Sequence, residues 1–282
     1  MRLFEALNAD SGVYFEGTLI DSYRSPHQLI EVFDTPALGK LMRIDGANML
    51  SERDEFFYHE NLIHPAAITH PAPKRVLIIG GGDGGSAEEM LKHPSIEKIV
   101  IAELDAGVVE IAKKHFHTVH RGALDDVRVD IRIGDGFDFL HGSGSEWDLI
   151  VLDLTDPGGA ADALYTPAFY ADCRRALRDG GALVMHLGSP FFHPERFTLG
   201  INQLRDVYKI VAPFFVHIPA YGATWGFAVA SDTLDPRTLG TRDVDERLAE
   251  RHIGDRRYYE GETHCALFTH PAYSRDALVV AE

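Results

Sequence analysis

Five carboxylates follow apolar segments of the 282-residue chain, and their placement predicts one shared site: Asp83, Glu103, Asp135, Asp153 and Asp156. Each comes at the end of a segment predicted to be a parallel strand. Ligands of open parallel sheets bind outside the carboxyl ends of the strands. Five acids at one sheet edge do not suit a phosphate ligand. They suit a small polycation, or one or two metal ions held by convergent carboxylates.

A glycine-rich loop surrounds the first of these acids. Gly80, Gly82 and Gly85 satisfy the pattern GxGxxG between a predicted strand and a predicted helix, and glycines let the backbone approach a ligand closely. Glu103 lies 18 residues beyond Gly85, where a carboxylate can accept hydrogen bonds from ribose hydroxyls. The loop fits a dinucleotide or an adenosyl sulfonium cofactor. A glycine turn that only packs a helix on a sheet is the structural alternative.

Asp83 helps to separate these two cofactor classes. A dinucleotide places its pyrophosphate near the helix N-terminus, and an anion at that position opposes it. S-adenosylmethionine carries an ammonium and a carboxylate on its tail, whereas the decarboxylated form carries the ammonium alone. Asp83 therefore favours a cationic cofactor tail, unless it simply caps the following helix. Asp135 can accept a hydrogen bond from an adenine amino group, although Asp-Gly is also a common turn.

Other candidate residues have ordinary structural interpretations too. Asp153 and Asp156 could form a cap or a turn, and Tyr58 and Tyr221 could be packing residues. The segment His115–His120 has three histidines whose spacing could place two imidazoles on a metal. A solvated helix end is the simpler interpretation, since two lysines precede the segment and no partner cysteine or acid is evident.

The composition indicates a globular protein and excludes several classes. Hydrophobic residues make up 45% and charged residues 25% of the chain. A net charge of −16 disfavours nucleic acid and anionic membranes as partners. The apolar runs are too short for a membrane span, which needs about 18 residues, and the N-terminus lacks an apolar signal core. The two cysteines, Cys173 and Cys265, form no CxxC pair, so we expect a cytoplasmic location.

Two regions of different patterning are expected, residues 1–53 and residues 54–282. The first region has strand-like alternation broken by turn residues, which predicts a small antiparallel sheet. Its predicted strands are Val13–Ile20, Gln28–Phe33 and Lys40–Ile44. In the second region a helix at Glu55–Ile68 precedes alternating apolar strands and amphipathic helices, which predict a parallel sheet covered on both faces. The segments Val207–Ile218 and Trp225–Ser231 predict an antiparallel pair that closes this sheet.

Four segments taken together resemble the polyamine aminopropyltransferases, the spermidine synthase family. They are Asp54–Glu60, Gly80–Gly85, Glu103–Asp105 and Asp153–Pro157. The resemblance implies an α/β fold, with a Rossmann-like sheet of the methyltransferase type and a small N-terminal antiparallel β domain. It implies transfer of an aminopropyl group from decarboxylated S-adenosylmethionine to a small cationic amine, with release of methylthioadenosine. Decarboxylated S-adenosylmethionine is a co-substrate, no prosthetic group is implied, and family members form homodimers or homotetramers.

The resemblance also implies roles for individual residues. Asp153 corresponds to the general base, and Tyr58, Asp156 and Tyr221 line the amine channel. The implied cofactor contacts are Gln28, His59, Asp83, Glu103, Asp135 and Gly136.

Several positions depart from the family pattern, and three of them leave the acceptor open. His27, Met49 and His186 stand where the family usually has Tyr, Gln and Gln. Met49 and His186 are expected near the pocket. Putrescine is the family default, and spermidine, cadaverine and agmatine are alternatives. A methyltransferase, a nicotinamide-dependent oxidoreductase and a non-catalytic polyamine-binding protein are rival interpretations of the same sheet and loop.

Overall fold

The N-terminal part of the chain forms two small antiparallel sheets. In this computed structural model, which describes residues 1–155 and 162–272, β1 (Arg2–Ala6) and β2 (Gly12–Glu16) make a hairpin. A four-stranded sheet follows, in the order β3 (Thr18–Arg24), β4 (Leu29–Thr35), β5 (Gly39–Ile44) and β6 (Ala47–Ser51). The prediction of one strand over Val13–Ile20 is wrong. The chain leaves β2 at Gly17, where a side chain would press on Leu3 and Thr35, and begins a new strand in the second sheet.

The central sheet has seven strands in the order β12-β13-β11-β10-β7-β8-β9. Five strands are parallel to one another: β7 (Arg75–Gly80), β8 (Lys98–Glu103), β9 (Val129–Ile133), β10 (Trp147–Asp153) and β11 (Leu177–Gly188). The last two, β12 (Ile210–Ile218) and β13 (Ala223–Ser231), pair antiparallel to each other, and β13 pairs antiparallel to β11. The predicted Rossmann-like sheet, closed by an antiparallel pair, is therefore confirmed.

Helices cover both faces of this sheet. In chain order they are α1 (Glu55–Thr69), α2 (Gly85–Leu91), α3 (Ala106–His115), α4 (His117–His120), α5 (Gly136–His141), α6 (Pro167–Ala176), α7 (Pro194–Val207), α8 (Thr241–Glu250) and α9 (Gly261–Leu267). Successive residues of β7 point to opposite faces: Val76 and Ile78 belong to one core cluster, Leu77 and Ile79 to the other. Burial on both faces explains why the strands are continuously apolar.

Helix α7 was not predicted from the sequence. Its last residue is Val207, which was predicted to begin a strand. The signals for this helix are present in the chain. Pro194 occupies the first turn, where a missing N–H costs nothing, and the buried residues Phe197, Ile201 and Leu204 recur at helical spacing. Among the described residues, no helix is long and apolar enough to cross a membrane.

The C-terminal segment fixes helix α1 in place. Glu60 on α1 is fully buried, and its carboxylate accepts the backbone N–H groups of Arg257, Tyr258 and Tyr259 at 2.6, 2.8 and 2.7 Å. At the end of α1, the guanidinium of Arg251 donates to the carbonyls of Ala67, His70 and Pro71. The orphan carbonyls of a helix end are thereby satisfied. The predicted division at residue 53 falls between β6 and α1 and stays a prediction.

Candidate active site

One cavity lies at the carboxyl ends of the central strands, between α1 and the four-stranded sheet. Every predicted site residue that the structure describes lines it: Gln28, Tyr58, His59, Asp83, Glu103, Asp135, Gly136, Asp153 and Tyr221. The remaining one, Asp156, lies outside the described residues. Residues far apart in sequence thus meet at the edge where parallel α/β sheets bind their ligands.

Asp153, the last residue of β10, is held from two sides. The hydroxyl of Tyr58 donates to its Oδ1 at 2.9 Å, and the hydroxyl of Ser86 donates to its Oδ2 at 2.6 Å. Burial raises the pKa of Tyr58 well above its ordinary value, and the charge of Asp153 adds to this effect. Tyr58 therefore stays a neutral donor. Ser86 is not among the residues predicted from the sequence, although a hydroxyl in the first turn after a glycine loop is a recognisable signal.

The glycine loop brings the backbone against this carboxylate. Gly80 and Gly81 have φ values of 79° and 65°, which favour glycine, and the N–H of Gly81 donates to the main-chain carbonyl of Asp153 at 2.9 Å. A Cβ on Gly85 would overlap the ring of His59. The loop is thus shaped by its contacts with site residues as well as by the helix that follows.

His59 and Asp83 form a charged pair beside Asp153. The Nε2 of His59 lies 3.6 Å from Oδ1 of Asp83, and its Nδ1 lies 2.9 Å from Oε2 of Glu55. Burial opposes the charged ring, but the hydrogen bond to Glu55 and the charge of Asp83 outweigh it and raise the pKa of His59 to about 10. Burial raises the pKa of Asp83 to about 6, which the His59 charge partly offsets. At neutral pH the pair is ionic.

Asp83 also accepts the N–H of Gly85 at 2.7 Å. The N-cap residue of α2 is Gly84, which has no capping side chain, so Asp83 contacts the first helical residue from one position before the cap. This contact does not exclude the role in ligand binding, since the carboxylate also lines the cavity. The sequence alone does not separate a contact with the helix from a role in ligand binding, because one side chain can have both.

Glu103 and Asp135 stand at the ends of β8 and β9. Glu103 accepts the N–H groups of Asp105 and Gly82 at 2.9 and 3.1 Å, and burial raises its pKa to about 7. Asp135 accepts the N–H of Phe137 at 2.8 Å and so caps α5. Both carboxylates line the cavity, where they can accept hydrogen bonds from a nucleoside.

Two groups of residues bear on metal binding. One ligand atom from each of His59, Asp83 and Asp153 lies within 4.8 Å of the others, a spacing that could hold an ion. The histidines of the segment His115–His120 form no such group within residues 1–155 and 162–272. His115 instead contacts Asp21 at 2.6 Å. The metal interpretation of that segment is therefore not supported.

A second chamber adjoins the first on the side of Tyr58 and Tyr221. Met49 borders both chambers, and its carbonyl accepts the hydroxyl of Tyr221 at 2.8 Å. His186 borders the second chamber, so both departures expected near the pocket are found there. Trp225 and Glu5 also line this chamber, and neither was predicted from the sequence.

Fold and site together define a Rossmann-like α/β protein whose cavity is lined by carboxylates at the strand ends, an arrangement that suits a small cationic ligand. The comparisons identify its family. The sequence model described as "Spermine/spermidine synthase domain" matches residues 55–238. A polyamine aminopropyltransferase of Nitrosomonas europaea is 44% identical over 275 residues, which cover 97% of this chain and 85% of the relative. A polyamine aminopropyltransferase of Pyrobaculum aerophilum is 38% identical over 259 residues, covering 90% and 89%.

Solved structures agree with this assignment. A spermidine synthase crystallised with the transition-state analogue AdoDATO superposes with a TM-score of 0.92 at 34% identity, covering 99% of this chain and 94% of that one. The spermidine synthase of Thermotoga maritima superposes with a TM-score of 0.91, also at 34% identity and with the same coverage. The chain belongs to the spermine/spermidine synthase family, and it is a transferase of the aminopropyltransferase type.

Proposed function

We propose that this protein moves the aminopropyl group of decarboxylated S-adenosylmethionine to an amine, with putrescine as the first candidate acceptor and spermidine as its product. The observation that carries the proposal is the position of Asp153. Its carboxylate faces the cavity between the glycine loop and the second chamber, and Tyr58, its hydrogen-bond partner, lines both chambers. The acidic cavity suits two cationic substrates.

The reaction needs a nitrogen lone pair. An alkyl ammonium has a pKa near ~10, so most of the acceptor is protonated at neutral pH. In the proposed step Asp153 takes one proton from the acceptor, and the freed nitrogen attacks the propyl carbon next to the sulfonium. The new C–N bond forms as the C–S bond breaks. The electron pair returns to sulfur, which leaves as the neutral thioether of methylthioadenosine.

The geometry around Asp153 supports its role as the base. Tyr58 and Ser86 each donate to one of its oxygens, so the carboxylate is fixed in direction before substrate binds. Fixed orientation of a base and a nucleophile supplies much of the rate in such transfers.

The other acids suit the co-substrate. We assign Glu103 to the ribose hydroxyls, Asp135 to the adenine amino group and Asp83 to the tail ammonium, with Gln28, His59 and Gly136 completing this side of the cavity. A tail carboxylate, as in S-adenosylmethionine, would face Asp83 and Asp153, which disfavours the methyltransferase alternative.

For the acceptor we propose that Tyr58, Tyr221 and Asp156 line the amine channel. Aromatic rings at this position support the proposal. The ring centroids of Tyr58 and Tyr221 are 6.3 Å apart, and those of Tyr221 and Trp225 are 4.9 Å apart. Faces of such rings attract alkyl ammonium groups.

We also propose a cytoplasmic homodimer or homotetramer. Exposed apolar side chains on the N-terminal strands support self-association: Phe4, Tyr14, Leu19, Ile20 and Tyr23. Both cysteines are free thiols, which suits a reducing compartment. Light scattering after gel filtration tests the assembly, and a monomer at micromolar concentration would contradict it.

The choice of co-substrate gives the test of the proposed function. Purified protein is incubated with putrescine and either decarboxylated S-adenosylmethionine or S-adenosylmethionine. We expect methylthioadenosine only from the decarboxylated form. Thermal stabilisation by methylthioadenosine without turnover would instead support the binding-protein alternative, and methyl transfer from S-adenosylmethionine would support the methyltransferase.

A further inference from the structure

The second chamber contains a histidine whose tautomer follows from two of its hydrogen bonds. His186, at 3% exposure, lies near the end of β11. The indole Nε1–H of Trp225 donates to its Nδ1 at 3.3 Å, and its Nε2 lies 2.7 Å from the carbonyl oxygen of Leu154. An indole N–H can only donate and a carbonyl can only accept. Nδ1 is therefore unprotonated, Nε2 carries the hydrogen, and the ring is neutral.

This ring borders the space assigned to the acceptor. Its centroid is 6.0 Å from the ring of Tyr58, which binds Asp153. The Nε2–H group also donates a hydrogen bond to the carbonyl of Leu154, the residue that follows Asp153. A positive charge on the ring would lie in the wall of a chamber that takes an ammonium, and like charges at such distances repel.

We propose that Trp225 is a positioning residue of the acceptor site: its indole N–H fixes His186 as the neutral Nε2–H tautomer, so that the chamber wall carries no charge opposing a cationic amine. This inference rests on the proposed function and specifies how the same site admits its acceptor. Trp225 acts through His186.

Ionisable groups surround His186 from several elements. They are Tyr58 on α1, Tyr165 before α6, Tyr221 in the turn before β13, Glu5 on β1 and His193 before α7. The hydroxyl of Tyr165 is 3.1 Å from Nε2 of His186 and donates to the carbonyl of Thr155 at 3.1 Å. It therefore shares the Nε2–H group and leaves the assigned tautomer unchanged. Glu5 lies 3.6 Å from the guanidinium of Arg43, which counters its charge at the chamber wall.

Trp225→Phe tests the proposal because it keeps an aromatic wall and removes the donor. An imidazole titrates near pH ~6.5, so the amine KM is measured at about pH 6 and about pH 8. Loss of one hydrogen bond to the neutral ring changes the ratio of neutral to charged imidazole by roughly fivefold. We expect the ratio of amine KM between the two pH values to rise by up to about fivefold over wild type. The KM for decarboxylated S-adenosylmethionine, which binds in the other chamber, should keep its wild-type value at both pH values.

Two variants serve as controls. Trp147→Phe alters the other tryptophan, which is buried at the start of β10, and we expect the wild-type KM ratio. Adding His186→Gln to Trp225→Phe supplies an amide that does not titrate, and the KM ratio should return to that of wild type. A KM ratio equal to wild type in Trp225→Phe, or an equal change in the co-substrate KM, would overturn the proposal.

A second measurement reads the tautomer in the wild-type protein. A long-range ¹H–¹⁵N spectrum of ¹⁵N-histidine-labelled wild type, with His186 assigned by its loss in His186→Gln, reports the tautomer directly. We expect the neutral Nε2–H form, and a cationic ring or the Nδ1–H form would overturn the inference. If wild type releases no methylthioadenosine, the proposed function fails instead, and this spectrum still decides the state of His186.

Discussion

Replacing Asp153 with asparagine removes the proposed base while nearly preserving the shape of the side chain. Asparagine keeps one carbonyl oxygen and replaces the other with an NH₂ group, which cannot accept a hydrogen bond. Since Tyr58 and Ser86 both donate to Asp153, at 2.9 and 2.6 Å, one of the two hydroxyls must turn away. The cost to folding is one hydrogen bond to a charged acceptor, about 1.5–3 kcal/mol.

The cost to catalysis is much larger. General base catalysis contributes typically about 10²–10⁴-fold, so kcat of Asp153→Asn should fall by about that factor. The KM for decarboxylated S-adenosylmethionine should change little, because Asp83, Glu103 and Asp135 remain. The assay is the initial rate of methylthioadenosine release at saturating amine, with a thermal melt of each variant as a folding check.

Ser86→Ala is the matched control. It leaves the carboxylate in place and removes one of the two hydroxyls that orient it, so kcat should fall by roughly 10-fold or less, by the strength of one hydrogen bond. A kcat for Asp153→Asn within about threefold of wild type, with both variants folded, would be too small for loss of a base and would refute this role.

Three further changes follow from the same geometry. Gly85→Ala should abolish binding of methylthioadenosine in calorimetry while Gly254→Ala does not, since a Cβ at Gly85 overlaps His59 and one at Gly254 has open space. Asp83→Asn should raise the KM for decarboxylated S-adenosylmethionine about 10-fold by loss of one charge-assisted hydrogen bond, and an unchanged KM would remove Asp83 from the tail site. Burial raises the pKa of Glu103 from 4.5 to about 7, so its contribution to stability is full below about pH 4.5 and is lost as the pH rises through 7. The free energy of unfolding, measured with denaturant, is compared between wild type and Glu103→Gln across this pH range. The difference between the two proteins should change by up to about 3 kcal/mol. A difference that does not change with pH would contradict a raised pKa for the buried Glu103 carboxyl.

Much of the fold was predictable because local pattern and global burial agree. β7 and β10 read as continuous apolar runs, and both are buried on two faces. The antiparallel closing pair also followed from its two adjacent apolar segments. Helix α7 was not predicted because Gly200 and several polar residues interrupt its apolar spacing. The division between β2 and β3 was not predicted because a single glycine does not interrupt the alternating pattern of apolar residues.

The candidate site was likewise predictable only in part. The acids were predictable because each ends a strand, and strand ends of a parallel sheet converge. Their partners were not, since the pairs Asp153 with Ser86 and His186 with Trp225 join residues 67 and 39 positions apart. Such contacts depend on how helices pack on the sheet, which no local pattern encodes.

The most direct test of the central claim is the identity of the product. Wild-type protein is incubated with decarboxylated S-adenosylmethionine and, separately, with putrescine, spermidine, cadaverine and agmatine, and both products are measured by mass spectrometry. We expect methylthioadenosine and, with putrescine first among the acceptors, an amine heavier by one aminopropyl group. Failure of all four amines to give either product would contradict the assignment of an aminopropyltransferase to this site.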